Sequence, residues 1–350
     1  MSRLTLALDV MGGDFGPHIT IPASIKALEN DPMLCLFLFG DRQKIDPILI
    51  PFLEQKPQLK ARLTVFHCTR IIENNQALTD ALRHSKGTSM RLALEAVQKG
   101  EAQGCVSGGN TGALMGLSKV LLQPLKGIQR PALIAVMPNI HGGNSVMLDL
   151  GANIECNAEN LYQFALMGAI FAENRLNLVY PRIALLNIGI EEIKGHKSIR
   201  EAAKMLENDT ALHYIGFIEG DLLLNGKADV IVSDGFAGNI ALKTLEGTAK
   251  NVISLFKGNS TASQRRFWFK PLKPLLNWVG KKLLGSAYQR LKKINPEQYN
   301  GASLIGLTAV VVKSHGSANE NAFAYAIADA ARQARQQIPQ KILSGLEKNS

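Results

Sequence analysis

Short apolar runs alternate along the chain with longer stretches in which apolar residues recur every three or four positions. The runs predict strands at 4–10, 34–39, 63–67, 104–107, 133–137, 145–150, 183–187, 214–218, 230–233 and 307–312. The longer stretches predict helices at 90–99, 111–122, 158–174, 198–207, 239–256 and 319–337. This alternation is typical of an α/β fold with a mainly parallel sheet. We expect residues 1–350 to form a single α/β domain of two packed lobes.

Several predicted strands end in loops rich in glycine and short polar side chains. The candidate positions in these loops are Asp9, Gly12, Gly13, Asp14, Asn110, Thr111, Asn153, Asn187, Lys194, Asp234, Gly238, Asn239 and His315. The carboxyl ends of parallel strands meet at one edge of a sheet, so we expect these loops to converge on one crevice. Glycine lets the backbone approach an anion, and the helix N-termini that follow point N–H groups at it. The sequence therefore predicts a site for a phosphate-bearing or phosphate-like substrate.

Motifs of several other enzyme classes are absent from the sequence. The dinucleotide motif GxGxxG would need glycine where Asp14 stands, and neither GxxxxGK[ST] nor GxSxG occurs. The 7 histidines lack metal-ligand spacing, and the 4 cysteines form no CxxC pair. We therefore expect neither a metal nor a cofactor.

Single loop residues also have plain structural explanations. Asp9 is either a catalytic base or the cap of the turn after its strand, and Asp234 is either functional or a helix cap. Lys194 either supplies positive charge to a phosphate or pairs with the neighbouring glutamates. His315 is either a site residue or part of a turn, and Cys105 is best explained as a small buried strand residue.

Location in the cell follows from features that the sequence lacks. No run of 18 apolar residues is present to span a membrane. The sequence enters a predicted strand at Leu4 without the pattern of a signal peptide. We expect a cytoplasmic protein whose cysteines remain reduced.

Six motifs in order along the chain resemble those of the bacterial phosphate acyltransferases, the PlsX family. The matching stretches lie at 8–14, 107–113, 148–153, 186–195, 233–239 and 313–316. The sequence departs from the usual family pattern at Gly108, where alanine is common, at Thr88, where serine is frequent, and at Ile190, where an acidic residue is frequent. The resemblance implies a layered α/β fold like that of phosphotransacetylase and isopropylmalate dehydrogenase, and a homodimer.

The resemblance also implies a reaction. A long-chain fatty acyl group would pass from acyl carrier protein to inorganic phosphate, and the acyl phosphate would go to a membrane glycerol-3-phosphate acyltransferase for phospholipid synthesis. In this interpretation Lys194 and the backbone at 110–111 and 238–239 hold phosphate, while Asp234 and His315 orient a group or relay a proton. Two alternatives stay open: a short-chain phosphotransacetylase that uses acyl-CoA, and a non-catalytic membrane-associated scaffold.

The formal net charge of +10 is confined to one segment. Residues 257–293 contain ten Lys and Arg and no Asp or Glu, which leaves 29 of the 39 basic residues to balance 29 acidic ones. We predict a helical hairpin over 239–296 whose basic amphipathic tip, 257–293, touches the inner face of an anionic membrane. The expected lipid contacts are Phe267, Trp268, Phe269, Leu276 and Leu283. The same segment could instead pack in a dimer interface or dock the acidic acyl carrier protein; no nucleic-acid-binding motif accompanies its charge.

Overall fold

The strands form one mixed sheet. The structure, a computed structural model, describes residues 3–257 and 301–348. Within these ranges the strands are β1 (Leu4–Asp9), β2 (Leu34–Gly40), β3 (Leu63–His67), β4 (Gly104–Ser107), β5 (Ala132–Pro138), β6 (Asn144–Leu148), β7 (Arg182–Leu186), β8 (His213–Ile218), β9 (Val230–Val232), β10 (Ala302–Ile305) and β11 (Val310–Lys313). Their order in the sheet is β3-β2-β1-β4-β11-β10-β5-β6-β9-β7-β8.

Helices connect most of these strands. The described helices are α1 (Pro17–Asn30), α2 (Arg42–Gln55), α3 (Leu78–Arg83), α4 (Ser89–Gln98), α5 (Thr111–Leu122), α6 (Ala158–Arg175), α7 (Lys197–Asn208), α8 (Gly235–Lys257), α9 (Glu320–Arg335) and α10 (Ile338–Lys348). The sequence prediction missed α1, α2, α3, α10 and β10. Proline explains part of this, because Pro22 lies inside α1 while Pro47 and Pro51 lie inside α2.

The strand directions divide the sheet into two parallel blocks. Strands β3, β2, β1, β4 and β11 are parallel to one another, and so are β6, β9, β7 and β8. Three antiparallel pairs, β11–β10, β10–β5 and β5–β6, lie between the blocks and reverse the direction. The sheet is therefore mainly parallel, as the sequence predicts, but its two blocks run in opposite directions.

Two hydrophobic cores accompany the two blocks. The first contains buried residues of β1, β2, α1 and α9, among them Leu6, Leu36 and Phe323. The second contains buried residues of β6, β9 and α6, among them Phe164 and Val230. Strand β5 belongs to both halves of the sheet, since its first residues pair with β10 and its last residues pair with β6.

The chain divides into two units, residues 1–238 with 297–350 and residues 239–296. Of the predicted hairpin, the structure describes only the part of α8 up to Lys257. The predicted basic tip and the lipid contacts Phe267, Trp268, Phe269, Leu276 and Leu283 lie outside the described residues. None of the described helices has the length and apolarity needed to cross a membrane.

Candidate active site

Asp9 anchors a first cluster of loops, which follow β1, β4 and β11. Its side chain is only 2% exposed, and its carboxylate accepts hydrogen bonds from the hydroxyls of Ser89 (2.6 Å) and Ser107 (2.7 Å). Burial raises the pKa of Asp9, while the two hydroxyl donors oppose that change. Ser107 Oγ also accepts from the N–H of Gly109 at 3.1 Å. Asp9 therefore ties the ends of β1 and β4 to α4.

Glycines at 12 and 13 let the first cluster close tightly. A Cβ on Gly12 would lie 2.6 Å from the Gly109 nitrogen and 2.7 Å from Asp9 Oδ2. Gly13 has a φ of +96°, a conformation that L side chains rarely adopt. The next N–H, that of Asp14, donates to the carbonyl of Gly316 at 2.9 Å, which joins the loop after β1 to the loop after β11.

Asn110 begins α5 and holds a neighbouring loop. Its Oδ1 accepts from the N–H of Ala113 (3.0 Å), and its Nδ2 donates to the carbonyls of Asn74 (3.0 Å) and Gln76 (3.1 Å). The side chain is therefore committed to local structure. Thr111, the first residue of α5, is exposed beside it.

A small pocket, partly open to solvent and with room for little more than a water molecule, lies in the first cluster. Glycine backbone at 12, 13, 16, 108 and 316 forms much of its wall, together with His315 and the apolar side chains of Phe15, Ile19 and Phe323. The Nδ1 atom of His315 lies 2.8 Å from Ser317 Oγ and accepts from the Ser317 N–H at 3.2 Å. The histidine thus borders the pocket while its Nδ1 belongs to a turn.

Asp149 anchors a second cluster, formed by the loops after β6, β7 and β9. Its carboxylate is fully buried and accepts five hydrogen bonds. The donors are the N–H groups of Leu133, Gly151, Ala152 and Asn153 and the side-chain amide of Asn153, at 2.7 to 3.3 Å. Burial raises the pKa of Asp149, against the effect of these donors. Asp149 thus fixes the loop that carries Asn153.

The loop after β9 lies directly against the loop after β6. The N–H of Gly235 donates to the Asn153 carbonyl at 2.7 Å, and a Cβ on Gly238 would lie 1.9 Å from the Asp149 carbonyl oxygen. Asp234 Oδ1 accepts from the N–H of Ala237 at 2.7 Å, so this side chain caps the start of α8. Asn239, which follows Gly238 in α8, is exposed.

The loop after β7 folds back on itself between Asn187 and Lys194. The Asn187 side-chain amide donates to the Lys194 carbonyl at 3.2 Å, and the buried Oδ1 of Asn187 has no hydrogen-bond partner among the described residues. Lys194 Nζ lies 3.0 Å from Glu191 Oε1, and this ammonium lowers the pKa of Glu191. Lys194 therefore makes the ion pair that the sequence suggested, yet its side chain remains 46% exposed.

The six loops follow strands of both blocks, and the carboxyl ends of the two blocks lie near the same level of the sheet. Val312 of β11 pairs with Ser303, Ser303 pairs with Ile134, and the neighbouring Ala135 pairs with Met147 of β6. That all six loops line one crevice stays a prediction.

Loops of the first cluster follow β1, β4 and β11, which are parallel to one another. Loops of the second cluster follow β6, β7 and β9, which run the opposite way because three antiparallel pairs intervene. The structure thus places Asn153, Asn187, Lys194, Asp234 and Gly238 on the loops of the second cluster. The first cluster holds the other candidates before residue 239 and His315, namely Asp9, Gly12, Gly13, Asp14, Asn110, Thr111 and His315.

Three thiols, two buried and one half-buried, lie near the two clusters but are poor nucleophiles. Burial raises the pKa of Cys156 to about 12 and that of Cys68 to about 11, and it also raises the pKa of Cys105. A thiol must lose its proton to attack an acyl group, so these three side chains are unreactive near neutral pH. Among the described residues, no three His, Cys, Asp or Glu side chains are placed to bind a metal ion.

Sequence reasoning identified Asp9 but missed the residues that hold it and the anchor of the second cluster. Ser89 and Ser107 hold Asp9, and Asp149 holds the loop of Asn153. A signal for Asp149 was present, because an Asp at the end of a strand, with glycine two residues later, is typical of a side chain that accepts N–H groups from its own turn. Nothing in the spacing connects Ser89 to Asp9, since 80 residues separate them.

Comparisons with known proteins agree with this fold. The family described as "Fatty acid synthesis protein" matches residues 4–341. A phosphate acyltransferase of Mannheimia succiniciproducens is 74% identical over 349 residues, which cover 99% of this chain and 100% of that relative. A phosphate acyltransferase of Pasteurella multocida is 73% identical with the same coverage. A solved phosphotransacetylase from Streptococcus pyogenes has a TM-score of 0.59 at 17% identity, and the match covers 95% of this chain and 94% of that one.

The α/β fold and these relatives define the class of protein. The sheet is arranged as in phosphotransacetylases, and the chain is an acyltransferase. It belongs to the fatty acid synthesis protein family, the PlsX family of bacterial phosphate acyltransferases. The resemblance stated from its six motifs is thereby confirmed.

Proposed function

We propose that this chain transfers a long-chain fatty acyl group from acyl carrier protein to inorganic phosphate and so forms acyl phosphate for phospholipid synthesis. The observation that supports this best is the second cluster. There the exposed ammonium of Lys194 and the amide of Asn187 lie on the loop after β7, and the first turn of α8 follows the neighbouring strand β9. A cation and a helix N-terminus are suited to hold a phosphate dianion and to stabilise an oxyanion.

The chemistry needs little from the protein beyond positioning. A phosphate oxygen attacks the thioester carbonyl carbon, a C–O bond forms, the C–S bond breaks, and the thiolate leaves and takes up a proton. A thiol has a pKa of about 8.5, so the thiolate leaves without a strong acid. The buried thiols favour direct transfer to phosphate over an acyl-cysteine intermediate. Holding the dianion beside the carbonyl then accounts for catalysis.

The proposed catalytic side chains are Lys194, Asp234 and His315. Lys194 supplies the charge that faces phosphate, and Asp234 fixes the start of α8, where the backbone at Gly238 and Asn239 completes the phosphate site. The Gly238 N–H itself donates to the Asp234 carbonyl at 3.0 Å, so the part of Gly238 is to let the backbone pack closely there. His315 belongs to the first cluster, with its pocket. A proton-relay role for His315 therefore requires both clusters to reach the same substrate.

Replacement of Lys194 by alanine tests the phosphate assignment. We expect the KM for phosphate to rise by roughly tenfold, because a hydrogen bond between charged groups typically stabilises by about 1.5 kcal/mol or more. The KM for the acyl donor should change little. Steady-state kinetics with varied phosphate measures this. Lys197→Ala is the matched control, because Lys197 is 82% exposed and pairs with Glu201 on α7. Normal turnover and normal phosphate affinity in Lys194→Ala would contradict the assignment of Lys194 to the phosphate site.

The reaction itself is tested by phosphate-dependent loss of long-chain acyl carrier protein, with acyl phosphate trapped by hydroxylamine. Folded protein that forms no acyl phosphate would overturn the proposal. Faster turnover with acetyl-CoA than with the long-chain donor would favour a short-chain phosphotransacetylase instead. Activity in either assay would exclude a non-catalytic scaffold.

We also propose that the protein works in the cytoplasm as a homodimer, held at the inner face of the cell membrane by residues 257–293, where it hands acyl phosphate to a membrane glycerol-3-phosphate acyltransferase. The support is the sequence: ten basic and no acidic residues in this segment, and Trp268 beside an amphipathic pattern. The double variant Trp268→Glu/Leu283→Glu should lose co-sedimentation with anionic vesicles. Co-sedimentation at the wild-type level would refute the membrane contact.

A further inference from the structure

Five large apolar side chains are exposed on the three loops of the second cluster. They are Ile154, Ile188, Ile190, Ile193 and Phe236, and between 62% and 81% of each is accessible to solvent. Single exposed apolar residues are common on protein surfaces, but several on adjoining loops indicate a binding surface. We call these five residues the apolar patch.

The sheet places the members of the apolar patch side by side. Val232 of β9 pairs with Leu148 of β6 on one side and with Leu185 of β7 on the other, so the three loops leave neighbouring strands. Neighbouring strands are about 4.8 Å apart, which puts the outer two loops roughly 10 Å from each other where they begin. The hydrogen bond from the Gly235 N–H to the Asn153 carbonyl, at 2.7 Å, joins two of these loops next to Ile154 and Phe236.

The loop that carries the three isoleucines 188, 190 and 193 is held in place by hydrogen bonds. The Asn187 side chain donates to the Lys194 carbonyl at 3.2 Å, and the Lys194 N–H donates to the Glu191 carbonyl at 3.0 Å. Arg200 Nη1 donates to the Ile193 carbonyl at 2.9 Å. The exposed isoleucines therefore lie on a turn that is fixed by hydrogen bonds.

The polar groups beside the apolar patch indicate its occupant. Residues 151–155, 188–194 and 234–238 carry charged side chains of both signs, and Arg130 and Arg200 donate to the carbonyls of Glu155 and Ile193, each at 2.9 Å. The charge of this surface is therefore mixed. The same three loops also carry Asn187, Lys194 and Asp234, so a chain bound on the patch would have its carbonyl end close to these polar groups.

We infer that the apolar patch binds the hydrocarbon chain of the acyl substrate and makes the enzyme favour long chains. This inference rests on the proposed function and adds to it the surface that selects the substrate. Burial of methylene groups on the isoleucines would stabilise a long chain more than a short one, because the free energy gained grows with the apolar area removed from water.

The double variant Ile188→Ser/Ile193→Ser tests the inference. The measured quantity is kcat/KM for a hexadecanoyl donor divided by kcat/KM for a butanoyl donor. We expect this ratio to fall by roughly tenfold in the variant, since each lost contact with a methylene group weakens binding several-fold. Val179→Ser is the matched control, because Val179 is 94% exposed and lies outside the patch, and its ratio should equal that of the wild type.

The remaining outcomes separate this inference from its competitors. An unchanged ratio overturns it, and an unchanged ratio together with a halved mass in light scattering assigns the patch to a second copy of the chain. Wild-type protein that forms no acyl phosphate from either donor would refute the proposed function instead. In that case, calorimetric titration of the wild type and the variant with hexadecanoate tests whether the apolar patch binds a hydrocarbon chain. Equal affinities of the two proteins would overturn the inference.

Discussion

Replacement of Gly238 by alanine is expected to destabilise the protein by about 3 kcal/mol and to abolish acyl phosphate formation. The added Cβ would lie 1.9 Å from the Asp149 carbonyl oxygen and 2.6 Å from Ser233 Oγ. A carbonyl oxygen of a buried loop cannot move aside as a flexible side chain can, so the first turn of α8 would have to shift. That shift would displace the backbone at the start of α8, which is proposed to hold phosphate.

The same helix provides the control for this prediction. Gly247 also lies in α8, and a Cβ there would meet no atom of the described residues within 4 Å. Gly247→Ala should leave stability unchanged or raise it by up to about 1 kcal/mol, because alanine favours helix more than glycine does. Urea denaturation followed by circular dichroism measures both variants. Equal stabilities for Gly238→Ala and the wild type would show that α8 does not begin against Asp149.

Asp149→Ala is expected to lower the free energy of unfolding by about 4 kcal/mol. The substitution leaves four backbone N–H groups and one side-chain amide without their acceptor, and an unpaired buried donor costs roughly 1 kcal/mol or more. Water entering the space left by the carboxylate would satisfy part of this set. The loop that carries Asn153 should lose its fixed conformation, and activity should fall with it.

Two further variants separate the hydrogen bonds of Asp149 from its charge. Asp149→Asn keeps one acceptor oxygen and should show a smaller loss of stability than Asp149→Ala. Asp221→Ala removes a carboxylate from an exposed position and should change stability by less than about 0.5 kcal/mol. Equal stabilities of Asp149→Ala and Asp221→Ala in urea titrations would contradict the anchoring role.

The sequence predicted the elements of the sheet better than their directions. Buried strands have the same apolar pattern whether they pair in parallel or antiparallel fashion. The opposite directions of the two blocks result from three successive antiparallel pairs, β11–β10, β10–β5 and β5–β6. Strand β10, with four residues, was not among the predicted strands. The six polar loops were found correctly, but their division into two clusters depends on pairings between distant residues.

The role of a candidate residue could be predicted where its hydrogen-bond partners are close in the sequence. Asp234 was expected either to act or to cap a helix, and its bond to the Ala237 N–H, three residues away, makes it a cap. Asn110 likewise caps α5. The network around Asp9 could not be predicted, because its partners Ser89 and Ser107 come from other elements and serine carries no special signal in either.

The place of β11 in the sheet has a consequence for how the protein folds during its synthesis. Strand β4 pairs with β1 on one edge and with β11 on the other, and α9, which packs on α1, follows β11 in the sequence. A ribosome therefore releases nearly the whole polypeptide before the nascent first block can close, while most strands of the second block are already available. Until then the central strand β4 has an open edge, which is a target for aggregation and for chaperones.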